Sequence, residues 1–582
     1  MNCAQPFPAQ SFAQFYHECT KYSPEGLRKN PHYIDFDKQP IPFKDYEGYP
    51  QIDLSQYLPL STNPFSDKTL KKSNECSELE KPLAELSRIL YFTNGVTAIV
   101  PYPPRPLLMR AAPSAGGLYP NEIYLVTKNF PDSSASELKS GLFNFQVKTH
   151  SLSVIGQGEN YWNQISEACF NHSSIAEKAD LAIIITGVFD RSSWRYKDRA
   201  YRRILLDAGH VWGNLAMVSH LFGKKAYPIA AFNDDLLNET LGLDSGEKSL
   251  LVIPLVSQKK AEEISLVKEP LLHSSPVKKQ TDWQYIPEGL LLNKLHELSS
   301  LHNSSNEGAC KLFDSSLKEY AGENQDAKVE NFIASEQIQS KKPIQWEKCS
   351  LMTSILKRRS ARHFDPGMFL TKDQLANLLE FTFIAENKLS EKSPSTEQIS
   401  ATDDVCQDLQ ICDQLAKESP KEETQNNNLV KQDLLDKNPL FISPNLFKYS
   451  LIVNNVEGLD AGSYNYHPEQ RIVRQTRFKE VYDEIHQACL NQDMARDAAA
   501  IFVVTCNLPK AIGIYGERAY RHIHLDAGHI AERLCLACTK TGIGASPIGG
   551  YFDDLVNSVL GINATDEIIV HIVTIGHSID DV

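Results

Sequence analysis

The chain has 582 residues, of which 42% are hydrophobic, so it can bury a large core without disulfide bonds. Its formal charge of −14 disfavours nonspecific binding to nucleic acid or to an anionic membrane, because both need a basic surface. The cysteines follow no disulfide or zinc pattern, the N-terminus has no basic and apolar signal sequence, and no apolar run is long enough for a membrane span, so we expect a cytoplasmic protein without a metal site.

Apolar periodicity predicts one series of elements in the first half of the chain. A helix is expected at 83–95, a strand at 121–129, a buried strand at 181–189, a long helix at 199–223 and a last strand at 250–256. This order predicts an α+β or three-layer α/β fold.

The second half repeats the first. A shift of 319 positions aligns RAYRRILLDAGH at 199–210 with RAYRHIHLDAGH at 518–529, and 21 of 45 positions are identical between 199–243 and 518–562 without a gap. The same series of elements is therefore expected again, at 375–387, 449–455, 500–508, 518–542 and 569–575. A register held over this length indicates a duplicated domain.

Composition sets the expected boundaries. We expect an N-terminal extension (1–60), a first domain (61–270), a linker that is partly helical and then polar (271–345), and a second domain (346–582). Residues 388–438 contain neither glycine nor aromatic residues and are predicted to be a disordered insertion in the second domain.

Two short motifs are candidates for ligand binding. KRRSARHFDP at 357–366 places Arg358, Ser360 and Arg362 on one side of an extended chain, where they can converge on an anion, although a solvated basic patch gives the same pattern. RAAPSAGGLYP at 110–120 contains two adjacent glycines, which allow close approach of a flat ligand but also suit a simple turn.

These motifs, together with RAYRxxxLDAGH and PIxx(F/Y)xDD, resemble the FMN-dependent nitroreductase superfamily. More narrowly, the chain resembles the SagB/ThcOx-type dehydrogenases, which oxidise azoline rings in ribosomal peptides to azoles. The resemblance implies an α+β, three-layer α/β/α fold in each copy and an intramolecular pseudo-dimer of the two copies.

The resemblance also implies one complete flavin site, because superfamily members bind FMN between two subunits. The first copy reads PFSDKTLKK at 64–72, without the RxSxR arginines, and the second reads PLFISPNLFKYS at 439–450, without the glycines. By resemblance, the FMN phosphate is held by Arg358, Ser360 and Arg362, and the flavin is lined from the first copy by Pro113, Ser114, Ala115, Gly116 and Gly117.

The loop PIGGY at 547–551 is expected to complete this site. The resemblance implies that its residues Pro547, Ile548, Gly549 and Gly550 line the flavin, with the backbone N–H groups of the two glycines facing the isoalloxazine. The corresponding PIAAF at 228–232 is assigned to the lost site.

Azole-forming members carry a Lys-Tyr pair shortly before the RxYR segment, and here the pair reads Arg195-Tyr196. Arginine is a poor proton acceptor, so Tyr196 is the expected proton-transfer group, with a pKa lowered by Arg195 and Lys197. Packing against the flavin is the alternative role for Tyr196. Its counterpart, Tyr515, is expected at the lost site.

The repeated histidines and aspartates are interpreted as structural. His210 and His529 recur in both copies, including the one with the lost site, which favours packing. Asp234 and Asp553 are expected to satisfy free N–H groups at the start of a short helix.

The sequence therefore predicts an FMN-dependent oxidoreductase that takes hydride from a small or peptide-borne substrate, with azoline oxidation as the first expectation. An NAD(P)H-dependent nitro or quinone reductase and a flavin-free scaffold in a peptide-modifying complex are the alternatives. A monomer suffices for one flavin site, and a homodimer stays open.

Overall fold

The structure is a computed structural model of the full chain. It describes residues 11–29, 33–58, 81–101, 106–128, 139–172, 174–229, 231–258, 286–287, 289–302, 332–341, 344, 348–383 and 440–579. The segment at 64–72, the central part of the linker and the insertion predicted at 388–438 lie outside the described residues.

The first copy is built on a seven-stranded sheet in the order β1-β6-β5-β4-β7-β9-β8, with antiparallel neighbours. A separate hairpin pairs β2 with β3. The strands are β1 (Gln51–Asp53), β2 (Val96–Val100), β3 (Leu107–Arg110), β4 (Asn121–Thr127), β5 (Gly141–Gln146), β6 (Ser151–Gln157), β7 (Leu181–Val188), β8 (Lys224–Ala226) and β9 (Glu247–Ser257).

The second copy repeats this topology. Its sheet has the order β10-β15-β14-β12-β16-β18-β17, again antiparallel, and a short parallel pair joins β11 to β13. The strands are β10 (Ala334–Gln337), β11 (Leu370–Thr371), β12 (Phe447–Val453), β13 (Val456–Glu457), β14 (Gly462–His467), β15 (Ile472–Phe478), β16 (Ala500–Asn507), β17 (Gly544–Ile548) and β18 (Glu567–Gly576). The matching strand orders confirm the duplication.

The helices cover both faces of each sheet. The α-helices are Phe12–Cys19, Pro24–Lys29, Lys81–Asn94, Asn160–Ala168, Phe189–Tyr196, Ala200–Leu221, Asp234–Leu241, Leu291–Leu298, Lys348–Lys357, Lys372–Phe383, Tyr482–Ala488, Asp493–Arg496, Leu508–Tyr515, Ala519–Lys540 and Asp553–Leu560. Among the described residues, no helix has an apolar stretch long enough to cross a membrane.

The central strands are buried on both faces, which explains their continuous apolar sequences. In β7, Ile183 and Ile185 belong to the core shared by the two copies, whereas Ile184 belongs to a core on the outer face. The predicted α+β, three-layer fold is thus confirmed for each copy.

The helices Ala200–Leu221 and Ala519–Lys540, here called the first and second central helices, form the centre of the molecule. They cross where Gly209 meets Gly528: a Cβ atom on Gly209 would lie 2.3 Å from the Leu525 carbonyl oxygen and 2.8 Å from the Gly528 Cα. One turn further, Gly213 lies against its own counterpart in the repeat, Glu532, whose Cβ is 2.9 Å from the position of a Cβ on Gly213. The repeated glycine of LDAGH thus permits the two copies to pack closely.

Two short helices lie at this interface with matching contacts. The N-terminal backbone of helix Phe12–Cys19 donates to the Glu517 carboxylate, and that of helix Leu291–Leu298 donates through Gly289 and Leu292 to Asp198, the counterpart of Glu517. The helix in the predicted linker therefore has the same environment as the helix in the predicted N-terminal extension.

Buried ion pairs also join the copies. Asp553 of the second copy accepts hydrogen bonds from Arg199 and Arg202 of the first, at 2.8 Å each. Asp234 makes the equivalent pairs with Arg518 and Arg521 at 2.7 and 2.6 Å. The sequence interpretation of these aspartates as helix caps was incomplete, because the N-cap of helix Asp234–Leu241 is Asn233 and each aspartate neutralises two buried arginines.

Candidate functional site

The motif at 357–366 follows helix Lys348–Lys357 and contacts the first copy through its arginines. Arg358 is buried, and its Nε donates to the carbonyl oxygen of Ala111 at 2.8 Å. Arg359, which the sequence analysis did not select, donates to the Thr97 carbonyl and hydroxyl oxygens at 3.1 Å each. The motif is therefore fixed to the backbone that leads into the PSAGG loop of the other copy.

The remaining residues of RxSxR differ from Arg358 in their exposure. Ser360 and Arg362 are exposed, and Ser360 forms a parallel bridge with Ala545 in β17, while the Ala361 N–H donates to the Ala545 carbonyl at 3.0 Å. Of the three residues expected to converge on an anion, Arg358 is therefore bonded to the first copy, whereas Ser360 and Arg362 lie at the surface.

The PSAGG loop, which contains Pro113, is held by the first central helix. Asp207 accepts from the Ser114 hydroxyl at 2.6 Å and from the Ala115 N–H at 3.2 Å. Burial raises the pKa of Asp207 to about 6, opposed by these hydrogen bonds. Gly116 and Gly117 both have positive φ angles, 67° and 65°, which glycine adopts without strain.

The candidate catalytic pair lies against this loop. A Cβ atom on Gly116 would be 2.7 Å from the Tyr196 hydroxyl and 3.4 Å from the Arg195 Cδ, so a larger residue there would displace the Tyr196 side chain. Burial raises the pKa of Tyr196, and the charges of Arg195 and Arg203 oppose that increase without overcoming it. The expectation of a lowered Tyr196 pKa was therefore wrong, because desolvation outweighs the neighbouring cations.

The PIGGY segment begins at the end of β17, where Pro547 and Ile548 pair with β18, and its two glycines follow the strand. A Cβ atom on Gly549 would lie 3.2 Å from the guanidinium carbon of Arg203, a residue of the first central helix. Gly550 is held through its carbonyl oxygen, which accepts from Gln492 at 2.8 Å. This loop thus meets the first copy at Arg203.

Arg203 was not among the site residues predicted from the sequence. A difference between the two copies at this position is the signal that indicates it. Arg203 is the position at which RAYRR of the first copy differs from RAYRH of the second. The guanidinium carbon of Arg203 lies 5.9 Å from the centre of the Tyr196 ring and 5.8 Å from the centre of the Tyr551 ring. One region therefore contains the PSAGG loop, Arg195, Tyr196 and Arg203 from the first copy and the PIGGY loop from the second.

The equivalent region of the other half is filled by protein. Asp526 accepts from the Phe441 N–H at 3.0 Å, and the Phe441 ring stacks on His522, the counterpart of Arg203, at 5.4 Å. The Tyr515 hydroxyl accepts from the Ser443 N–H at 3.0 Å. In the PIAAF segment, of which residue 230 lies outside the described residues, Phe232 packs under Arg518 at 4.4 Å.

The repeated histidines lie inside the helix interface. His210 contacts Glu532 at 2.8 Å and His571 at 3.3 Å, and His529 stacks on Trp212 at 5.4 Å. All these side chains are buried. Their positions agree with the structural role inferred from the sequence. Within the described residues, no group of three His, Cys, Asp or Glu side chains is arranged to hold a metal ion.

Comparison with known proteins gives the family. The nitroreductase family model matches residues 81–255 and 355–577. A crystal structure from Anabaena variabilis, of a protein assigned as a nitroreductase, is 34% identical, covers 98% of this chain and 100% of that one, and superposes with a TM-score of 0.77.

Two curated proteins match shorter segments. A protein of Methanocaldococcus jannaschii assigned as a nitroreductase is 29% identical over 110 residues, which is 19% of this chain and 56% of that protein. The microcin B17-processing protein McbC of Escherichia coli is 22% identical over 148 residues, which is 25% of this chain and 52% of McbC. The chain thus spans about half the length of these curated relatives. On the family match and the full-length similarity, the chain belongs to the nitroreductase family.

Proposed function

We propose that this protein is an FMN-dependent oxidoreductase that holds one FMN between its two copies. The observation that carries the proposal is the meeting of motifs from different copies: Arg358 of RxSxR donates to Ala111 beside the PSAGG loop, and Arg203 lies against Gly549. The other half lacks this arrangement, since Phe441 and His522 occupy it.

The residues present fit a phosphorylated flat cofactor. Ser360 and Arg362 are exposed beside β17 and would hold the phosphate, whereas Arg358 would position the motif through its contact with the first copy. A Cβ atom on Gly117 would have no atom within 4 Å, so this part of the loop leaves space for a ring. Gly116, Gly117 and Gly549 would let the backbone approach that ring closely.

FMN, when bound, supplies a hydride acceptor or donor. The Tyr196 phenol is protonated at neutral pH because burial raises its pKa, so Tyr196 would hold a proton beside the reacting atoms. Arg195, adjacent to Gly116, would orient an electron-rich substrate group through its guanidinium. Neither side chain is suited to act as a strong base at neutral pH.

The first candidate substrate is a thiazoline or oxazoline in a modified peptide, which would be oxidised to the azole. FMN, when bound, would supply the hydride acceptor, and the proton would pass to water, because Tyr196 is already protonated. The similarity to part of McbC, a processing protein of the peptide microcin B17, supports this candidate, as do the SagB-like motifs. A peptide-modifying complex is the partner that this reaction implies.

The second candidate reaction is reduction of a nitro compound or quinone with NAD(P)H. The protonated Tyr196 favours it, because a reduction needs a proton donor beside the acceptor. Two relatives assigned as nitroreductases give it further support.

The test is the visible spectrum and the FMN content of the purified full chain. We expect one FMN per chain in the wild type and a large loss in the Ser360→Ala/Arg362→Ala variant. The control Arg496→Ala should show no loss, because the Arg496 side chain is 41% exposed and pairs with Asp497 in the second copy. Two FMN per chain would refute the single site. A chain without FMN would refute the proposed function and favour the flavin-free scaffold. Rapid mixing with NADPH or with a thiazoline peptide then separates the reactions, since only the true donor bleaches the flavin.

A further inference from the structure

Arg203 is a buried cation that has no hydrogen-bond partner among the described residues. The residue is 1% exposed, and its Nε, Nη1 and Nη2 atoms are all buried without an acceptor. The guanidinium lies beside Gly549, at the meeting of the two copies described above. A group with five donors therefore lies beside the PIGGY loop with no acceptor for them among the described residues.

Among the described residues, no carboxylate is hydrogen-bonded to Arg203, although Asp207 lies close enough to interact with its charge. Arg199 is a like charge that disfavours the cationic form of Arg203. The buried carboxylate of Asp553 is already shared by Arg199 and Arg202, and Asp207 holds Ser114 and the Ala115 N–H. The rings of Tyr196 and Tyr551 lie near the cation but cannot accept its N–H groups in the manner of an anion.

A buried unpaired charge is costly, and folded proteins retain one mainly where a ligand neutralises it. The repeat provides an internal comparison. At the same position in the filled half the residue is His522, which is covered by Phe441. The arginine thus occurs in the half that brings the PSAGG and PIGGY loops together and is absent from the half that Phe441 fills.

We propose that Arg203 binds a planar, negatively charged oxygen group at this site. This inference rests on the proposed function and extends it. Two sources can supply such a group: the ring of reduced FMN, which becomes anionic, and a carboxylate or comparable anion on the substrate. The forked guanidinium suits both, because it can donate two parallel hydrogen bonds to one planar anion.

The experiment compares the FMN-loaded full chain with its R203Q and R203K variants, and uses H522Q as the matched control in the other half. The midpoint potential of bound FMN reports on the reduced ring, and benzoate titration, followed by the flavin spectrum, reports on a carboxylate. Loss of a charged hydrogen bond weakens binding by about 10- to 100-fold.

Two results support the proposal and distinguish the sources. A lower midpoint potential in R203Q, equivalent to about tenfold or more weaker binding of reduced relative to oxidised FMN, assigns Arg203 to the cofactor. An increase in the benzoate Kd of about tenfold or more, with the potential unchanged, assigns it to the substrate. R203K should change the midpoint potential or the benzoate Kd less than R203Q does. Lysine keeps the positive charge but cannot donate two parallel hydrogen bonds from one planar group.

The proposal is overturned if R203Q and H522Q both retain the wild-type potential and benzoate Kd. Thermal unfolding of the apoprotein provides an independent measurement: removal of an unpaired charge should leave Tm unchanged or raised, whereas a fall would show that Arg203 serves the fold. If the wild type binds no FMN, the proposed function fails. Arg203 is then tested by the increase in Tm that benzoate produces, which should be larger in the wild type than in R203Q.

Discussion

Gly209 and Gly528 pack against each other at the crossing of the two central helices, with the Leu206 carbonyl oxygen 2.3 Å from the position of a Cβ on Gly528. We expect Gly209→Ala and Gly528→Ala each to lower the free energy of unfolding by about 1–3 kcal/mol, because the added methyl group forces the helices apart. Urea denaturation measures this change.

The matched control for these substitutions is Gly513→Ala. Gly513 lies in helix Leu508–Tyr515, and a Cβ there would have no atom within 4 Å. Alanine should be neutral or slightly stabilising at this position. Equal effects at Gly513 and Gly209 would contradict the close helix contact.

Asp553 is expected to be essential for the interface. Asp553→Asn leaves Arg199 and Arg202 buried without their carboxylate, so stability should fall by about 3–5 kcal/mol. The neighbouring Asp554, whose side chain is 66% exposed, should tolerate Asp554→Asn with a change under about 1 kcal/mol. Similar denaturation midpoints for the two variants would argue against the buried network.

Asp207 should introduce a pH dependence of stability. Its pKa is about 6 in the folded state, against an ordinary value of 3.8. The folded chain binds the proton more tightly, so the stabilisation is complete below pH 3.8 and is lost as the pH rises through about 6. Relative to Asp207→Asn, wild type should lose on the order of 2–3 kcal/mol between pH 4 and pH 7. Chemical denaturation measures the free energy of unfolding of both proteins at each pH. The same pH dependence in wild type and in Asp207→Asn would refute this assignment.

Tyr196→Phe should lower kcat by about 100-fold or more if the phenol donates a proton during turnover. Because burial raises the Tyr196 pKa above its ordinary value of 10.0, wild-type activity should show no ionisation of this group between pH 6 and pH 9. Tyr515→Phe, at the filled half, is the control and should retain activity. Turnover with NADPH and a quinone, or with a thiazoline peptide, measures both variants.

The fold could be predicted largely from the sequence because the repeat and the buried strands are both periodic signals. The strand predicted at 181–189 is β7, and the helix predicted at 199–223 is the first central helix, Ala200–Leu221. These patterns reflect burial on both faces of a sheet and close packing of a helix, which are visible in the local order of apolar residues along the chain.

The site was predicted less completely, because hydrogen bonds and desolvation depend on neighbours that are distant in the chain. Arg358 was expected beside Ser360, but its partner is the Ala111 carbonyl of the other copy. The direction of the Tyr196 pKa shift required its burial to be known, and burial outweighs the adjacent Arg195. Arg203 was overlooked because an arginine in a helix usually signals solvent exposure.

The contact of Gly213 with Glu532 has a consequence for assembly. The two residues occupy the same position in the repeat, so two identical subunits related by the same axis would bring glycine to glycine or glutamate to glutamate there. Neither alternative reproduces the observed fit: two glycines leave a gap, and two buried carboxylates repel each other. The fused chain therefore contains a complementary glycine–glutamate pair that a symmetric homodimer of either half would not form.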